Sequence, residues 1–371
     1  MNKKIINKMI PSAGPSITQK EIEYVLDAVK NGWYENWSGY IKKFEQRFAE
    51  YVGTKYAIST SSCTGAMHLA LVARGIKEGD EVIVPETTWI ATAAVVTYVG
   101  AKPIFVDIDR DTWTIDPASI RKAINKKTKG IIPVHLYGHP ANMDEIIKIA
   151  KEYNLFILED AAPSIGAEYK GKRTGGLGDA GAFSFQGAKL LVTGEGGMLV
   201  TNDDKIYERA SFLANQGRDA NIPFLIHEIG YKYKMSNIQA ALGLAQLERI
   251  DELIAKKRQI YEWYRSRLEG IKGIRLNSDK DWAKSIRWMS SIVLEDTLPI
   301  DREEFRTKLK EKNIDTRPIF PPMSSFPMFK KVNNPVAEFI GRRGVNLPTP
   351  LNLTEEQADY VSENILELVN I

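Results

Sequence analysis

Seven short, continuous apolar runs alternating with longer amphipathic stretches constrain what this chain can fold into more than any other feature. The runs are KYAIST (55–60), DEVIVP (80–85), KPIFVDI (102–108), GIIPVHLYG (130–138), LFILED (155–160), GAFSF (181–185) and GMLVT (197–201). Between them lie TGAMHLALVARG, WIATAAVVTYVG, DPASIRKAINKK and NMDEIIKIAKEY, where apolar residues recur at helical spacing. Strands apolar on both faces must be covered on both, and a parallel sheet flanked by helices does this. The expected fold class is α/β, with a mainly parallel sheet and its ligand site at the polar strand ends. A helical pattern precedes it, starting near Ile17 and stopping at Gly32.

A long helical stretch follows from about Asn237 to Leu268, rich in Ala and Leu and then in Lys, Glu and Arg. Beyond it the pattern changes to a strand (IRWMSSIVLE), a helix (DREEFRTKLKEKN), a strand (IDTRPIF) and a closing helix (LTEEQADYVSENILELVN). The expectation is a large unit over residues 1–250, with an N-terminal arm, and a small α+β unit over residues 251–371.

Composition narrows the partners. The 50 Lys and Arg exceed the 47 Asp and Glu by +3, spread along the chain, whereas nucleic-acid binding shows as a concentrated basic stripe. No apolar run approaches the roughly 18 residues of a membrane span. The opening MNKKIINKMI is too interrupted for the apolar core of a signal peptide. One cysteine, Cys63, leaves no internal disulfide framework, so the expected location is the reducing cytoplasm. Cys63, His68, His135, His139 and His227 show no zinc-ligand spacing, and no metal is expected.

Three strand ends carry chemistry. KYAIST runs into SSCTGAMHLAL, where Ser62, Cys63 and Thr64 open a helix. Free N–H groups and the positive dipole end there suit a phosphate, although Ser and Thr are also ordinary N-caps. LFILED ends in Asp160, whose carboxylate either caps a turn or holds a proton on a ring nitrogen. GAFSF leads to Lys189, just ahead of GEGG, whose glycines admit a ligand close to the backbone. A lysine partly removed from water forms Schiff bases readily, whereas a solvated one is only a surface charge. Trp89 either stacks on a flat cofactor or fills the core. Lys234 and Arg317 are either surface charges or anchors for a diphosphate-linked substrate. Gly176, Gly178 and Gly181 form a GxGxxG string, but a strand follows where a dinucleotide fingerprint requires a helix.

Together and in this order, SSCTGAMHLAL, GDEVIVPETTWIATA, ILEDAAPSIGA, GAFSFQGAKLLVTGEGGMLVT and IGYKYKMSNIQAALGLAQLERID resemble the DegT/StrS family of sugar aminotransferases, from about residue 11 onward. The resemblance implies the aspartate aminotransferase fold (fold type I), with pyridoxal 5′-phosphate (PLP) as cofactor. It implies transfer of an amino group from L-glutamate to a keto sugar, expected to be a nucleotide-linked 4-keto-6-deoxyhexose. Lys189 would carry the cofactor and shuttle a proton, Asp160 would pair with the ring nitrogen, and Trp89 would cover the ring. Cys63, Thr64 and Ser184 would hold the phosphate. Asn237 would reach the phosphate of a neighbouring subunit, which implies a homodimer with shared sites. Within the family the chain resembles GDP-perosamine synthases, partly through DTRPIFPPMSSFPMF. Lysine at 189 separates it from members that dehydrate and carry histidine there. It departs from the family at Cys63, usually glycine; at Pro163, often His, Glu or Gln; and at Ser324, a histidine in many perosamine synthases. The alternatives are the same chemistry on a small phosphorylated ketone or a cyclitol ketone, and a cofactor-binding regulator without turnover. Retention of Lys189 and GEGG argues against the regulator.

Overall fold

The computed structural model describes residues 6–369. Seven strands form one sheet in the spatial order Tyr56–Thr60, Gly197–Thr201, Ala180–Ser184, Phe156–Asp160, Thr128–Ile131, Glu81–Pro85 and Lys102–Val106. Gly197–Thr201 pairs antiparallel with both neighbours, and the remaining pairings are parallel. This is the mainly parallel α/β sheet that the apolar runs imply. The run 130–138 stops early, because Pro133 has no N–H for the ladder and Leu136–Gly138 coils into a single 3₁₀ turn.

Alternate residues along each strand face opposite layers. Ile58, Val84, Leu158, Ala182 and Leu199 pack beneath the helices Cys63–Arg74 and Asp204–Ala214. On the other face, Ala57, Phe183, Met198 and Val200 meet Phe44, Phe48 and Leu244 from the helices Gly39–Val52 and Asn237–Leu247. Ile83, Ile131 and Ile157 meet Met143–Tyr153 there. Each such Val, Leu, Ile, Phe or Met side chain, fully buried, contributes about 1.5–3 kcal/mol.

A second, four-stranded antiparallel sheet orders Ile274–Leu276, Ser291–Leu294, Gly344–Asn346 and Arg317–Pro318. Tyr264 and Leu268, from the end of Ile250–Leu268, pack there with Ile292, Phe305, Val345 and Ile365. The expected stretch 237–268 is two helices, Asn237–Leu247 and Ile250–Leu268. Arg249 sits at their junction and pairs with the buried Glu21 at 2.6 Å. The expected strand IRWMSSIVLE begins only at Ser291, because Arg287 adopts a left-handed φ of 54° and turns the chain.

The two sheets are joined by carboxylates at the strand ends. Glu86 accepts from the Ser324 N–H and the Asn334 amide, each at 2.7 Å. Asp107 accepts from the first N–H groups of the helix Pro335–Arg343, Val336 at 3.1 Å and Ala337 at 2.9 Å. The N-terminal arm crosses the same junction. Ile10 donates to Asn313 O at 2.8 Å, while Ser12 and Gly14 accept from the Thr349 and Leu351 N–H groups at 2.9 and 3.1 Å. No described helix is long and apolar enough to cross a membrane.

Candidate active site

Phe156–Asp160 and Ala180–Ser184 are parallel neighbours with Asp160 opposite Ala182, so Asp160 and the turn to Lys189 leave the sheet at one edge. The helix Cys63–Arg74 starts at that edge too. Its first turn lies directly on Gly197, where a Cβ would come within 2.4 Å of Cys63 N. That close approach accounts for one glycine of GEGG. The result is a cavity of about 520 Å³ whose wall includes Cys63, Thr64, Trp89, Asp160, Ser184 and Lys189.

Asp160 is buried and accepts from Thr92 Oγ1 at 2.7 Å and from Ala162 N–H at 3.2 Å. Thr92 is in turn hydrogen-bonded to Thr88 at 2.8 Å. Burial pushes the Asp160 carboxyl up from the usual range, while these donors and Lys189 pull it back. Burial lowers the Lys189 ammonium to about 8, with Asp160 and Cys63 acting in the opposite direction. Burial also pushes the Cys63 thiol well up, so it stays protonated and its place at the turn rests on its N–H. Ser62 caps the helix by accepting from Gly65 N–H at 3.0 Å. The N–H groups of Cys63 and Thr64 meet no acceptor among the described residues. Trp89 is 62% exposed and its ring lies 5.7 Å from that of Phe320, so it belongs to the cavity wall and not to the core.

Three expected residues stand outside this cavity in their own chain. The Asn237 amide accepts from Tyr40 N–H at 2.9 Å and donates to Gly32 O at 3.4 Å. Lys234 lines a separate cavity of about 400 Å³ with Trp37 and Glu45. Arg317 is exposed and held by Asp315 and Ser12, each at 3.2 Å. Of the family departures, Pro163 is buried in the turn after Asp160, and Ser324 is buried with its hydroxyl accepting from Val332 N–H at 3.2 Å. Residues that sequence patterns did not single out are Thr92, Trp288 and Phe320. Thr92 lies three positions after Trp89, and nothing in its local sequence distinguishes it from a helix-surface threonine.

The glycine string has a different task from dinucleotide binding. Glu159, the neighbour of Asp160 on the opposite face of the strand, is fully buried. Its carboxylate accepts from the N–H groups of Leu177 and Gly178 at 2.6 Å each and of Gly175 at 2.7 Å. His135 Nε2 joins it at 2.8 Å, while His135 Nδ1 accepts from Ala141 N–H at 3.0 Å. One ring nitrogen therefore donates and the other accepts, so His135 is the neutral Nε2–H tautomer. A Cβ at Gly178 would strike the Ile157 side chain at 2.7 Å, which explains why the loop can close on the carboxylate only with glycine there.

The sequence profile of the DegT/DnrJ/EryC1/StrS aminotransferase family matches residues 15–366. The chain belongs to this family. A GDP-perosamine synthase of Escherichia coli O157:H7 is 44% identical over 362 residues, covering 97% of this chain and 98% of the relative. Among solved structures, S. venezuelae DesV in complex with a ketimine intermediate superposes with a TM-score of 0.91 at 31% identity, covering 98% of this chain and all of that one. A Streptococcus pneumoniae protein assigned as a sugar aminotransferase, solved in PMP and PLP forms, superposes with a TM-score of 0.91 at 29% identity. In its PMP form the match covers 97% of this chain and 99% of that one. The protein is a PLP-dependent aminotransferase of fold type I.

The residues present fit that cofactor. Two free helix N–H groups and the Ser184 hydroxyl are a donor set for a phosphate. A buried carboxylate suits a protonated ring nitrogen, and a lysine with a depressed pKa suits an aldehyde.

Proposed function

We propose that this aminotransferase moves the amino group of L-glutamate to a nucleotide-linked 4-keto-6-deoxyhexose, in the manner of a GDP-perosamine synthase. The observation that carries this reading is the convergence of Lys189, Asp160 and the open helix terminus on one cavity. The 44% identity to a GDP-perosamine synthase along nearly the whole chain supports the sugar acceptor. Bound there, PLP supplies an electron sink for the carbanion left when the amino-bearing carbon loses its proton. Lys189 Nζ anchors the cofactor at rest and moves that proton when free. The Asp160 carboxylate holds the ring-nitrogen proton, with Thr92 and Ala162 fixing its direction. Cys63 and Thr64 N–H and the Ser184 hydroxyl take the phosphate oxygens, and Trp89 covers the ring.

The protein acts as a homodimer with shared sites in this proposal. Asn237 exchanges its own-chain contacts for the neighbour's phosphate, while Lys234 and Arg317 meet the sugar diphosphate. The large unit ends near residue 250, at the start of Ile250–Leu268, and the single buried cysteine fits a cytoplasmic enzyme.

The test is to incubate purified protein with L-glutamate and a panel of ketones, and to read products by mass. The expected result is an amino sugar formed fastest from a nucleotide-linked keto sugar. Preference for a small keto phosphate or a cyclitol ketone overturns the acceptor. Bound cofactor without product from any ketone favours a regulator.

A further inference from the structure

Lys189 is held from a side that the amino-transfer chemistry does not account for. Its Nζ lies 3.9 Å from the ring centre of Trp288. The same indole N–H donates to Ala188 O at 2.9 Å, one residue before the lysine. Trp288 is itself fixed from behind, because its carbonyl accepts from Lys257 Nζ at 3.0 Å. Lys257 is 2% exposed, and its second bond goes to Thr349 O at 2.5 Å. Tyr137, fully buried, lies beside the indole with ring centres 6.1 Å apart and planes at 28°, and Trp288 itself is 5% exposed, so the ring sits in packed surroundings.

We propose that Trp288 is a positioning residue for Lys189, clamped by the buried Lys257, and that it holds the lysine head group whenever that group is not joined to the cofactor. The inference rests on Lys189 being the cofactor lysine. The negative face of an indole attracts an ammonium group, most strongly where water is excluded. The ring therefore favours the charged form of Lys189 and opposes burial, the main influence that lowers it. Asp160 and Cys63 also face this amine, and Glu195 lines the same cavity. The indole N–H restrains the peptide leading into Lys189, so one side chain governs both the direction and the charge of the amine. Lys257, lowered to about 7 by burial alone, offers two N–H groups to two carbonyls in either protonation state. It acts as a brace and not as a switch.

The test uses enzyme treated with L-glutamate, in which Lys189 is free. Brief acetic anhydride pulses between about pH 6 and 10, with Lys189 quantified by peptide mass spectrometry, give the midpoint of its reactivity. Removing the ring face destabilises the ammonium, so the midpoint should fall in Trp288→Leu by about one pH unit. Trp288→Phe keeps a weaker face and should fall less. Trp288→Phe alone decides the matter if the leucine variant does not fold. Lys257→Met should lower the midpoint in the same direction, and kcat should fall in all three variants with KM for glutamate little changed. A midpoint unmoved or raised in the Trp288 variants overturns the proposal, and one unmoved in Lys257→Met removes the brace from it. Wild-type protein in which borohydride fixes no cofactor to Lys189 would instead defeat the reading on which it rests.

Discussion

Asp160 is the residue whose surroundings say most about its work. It is buried, yet among the described residues its carboxylate receives only the Thr92 hydroxyl and one backbone N–H, leaving capacity toward the cavity that Lys189 shares. A carboxylate that stabilises charge appearing only during reaction affects turnover more than affinity. Asp160→Asn should therefore slow the glutamate half-reaction by at least about a hundredfold with cofactor still bound, as followed by rapid-mixing absorbance. Thr92→Val keeps the shape but removes one donor to a charged group, and should cost roughly tenfold in the same assay. Near-normal rates in Asp160→Asn would reduce this aspartate to a turn cap.

At the level of elements, the strands were readable because each run is bounded by turn residues and by a change of period. Pro133 and the left-handed Arg287 shortened two of them, and neither effect has a signature in apolar periodicity. The helices Gly39–Val52 and Pro335–Arg343 escaped that reading altogether. Cys63, Thr64, Trp89, Asp160 and Lys189 were legible as site candidates because they stand at or after strand ends in a characteristic order, and Ser184 only through the family resemblance which that order carries. Thr92, Trp288 and Phe320 were not, because their roles arise from contacts across the fold. The glycine string was excluded as a dinucleotide site on context, but its partner Glu159 could not be foreseen from spacing. Replacing that carboxylate leaves short N–H donors facing an amide, so Glu159→Gln should lower stability by about 3 kcal/mol in urea unfolding. A change under half a kcal/mol would mean that the loop closes without the charge.

Considered whole, the molecule leaves apolar side chains in the open that a single copy does not cover. Phe224 is 99% exposed, Ile229 92% and Tyr34 92%. A second copy covering them is consistent with shared sites, because Asn237 and Lys234 stand apart from their own cavity. Mixing inactive Lys189→Ala and Asn237→Ala subunits should then restore activity, because one site of each hybrid is intact; no recovery in proven hybrids would refute sharing. The arm has a separate consequence, in the order of synthesis. Ile10 is made well before its hydrogen-bonding partner Asn313, as Ser12 and Gly14 are made before Thr349 and Leu351. At translation rates of about 5–20 residues per second, the arm waits roughly fifteen to sixty seconds for a partner. During that interval the arm cannot dock, and this junction closes only after the segment that carries Thr349 and Leu351 has been made.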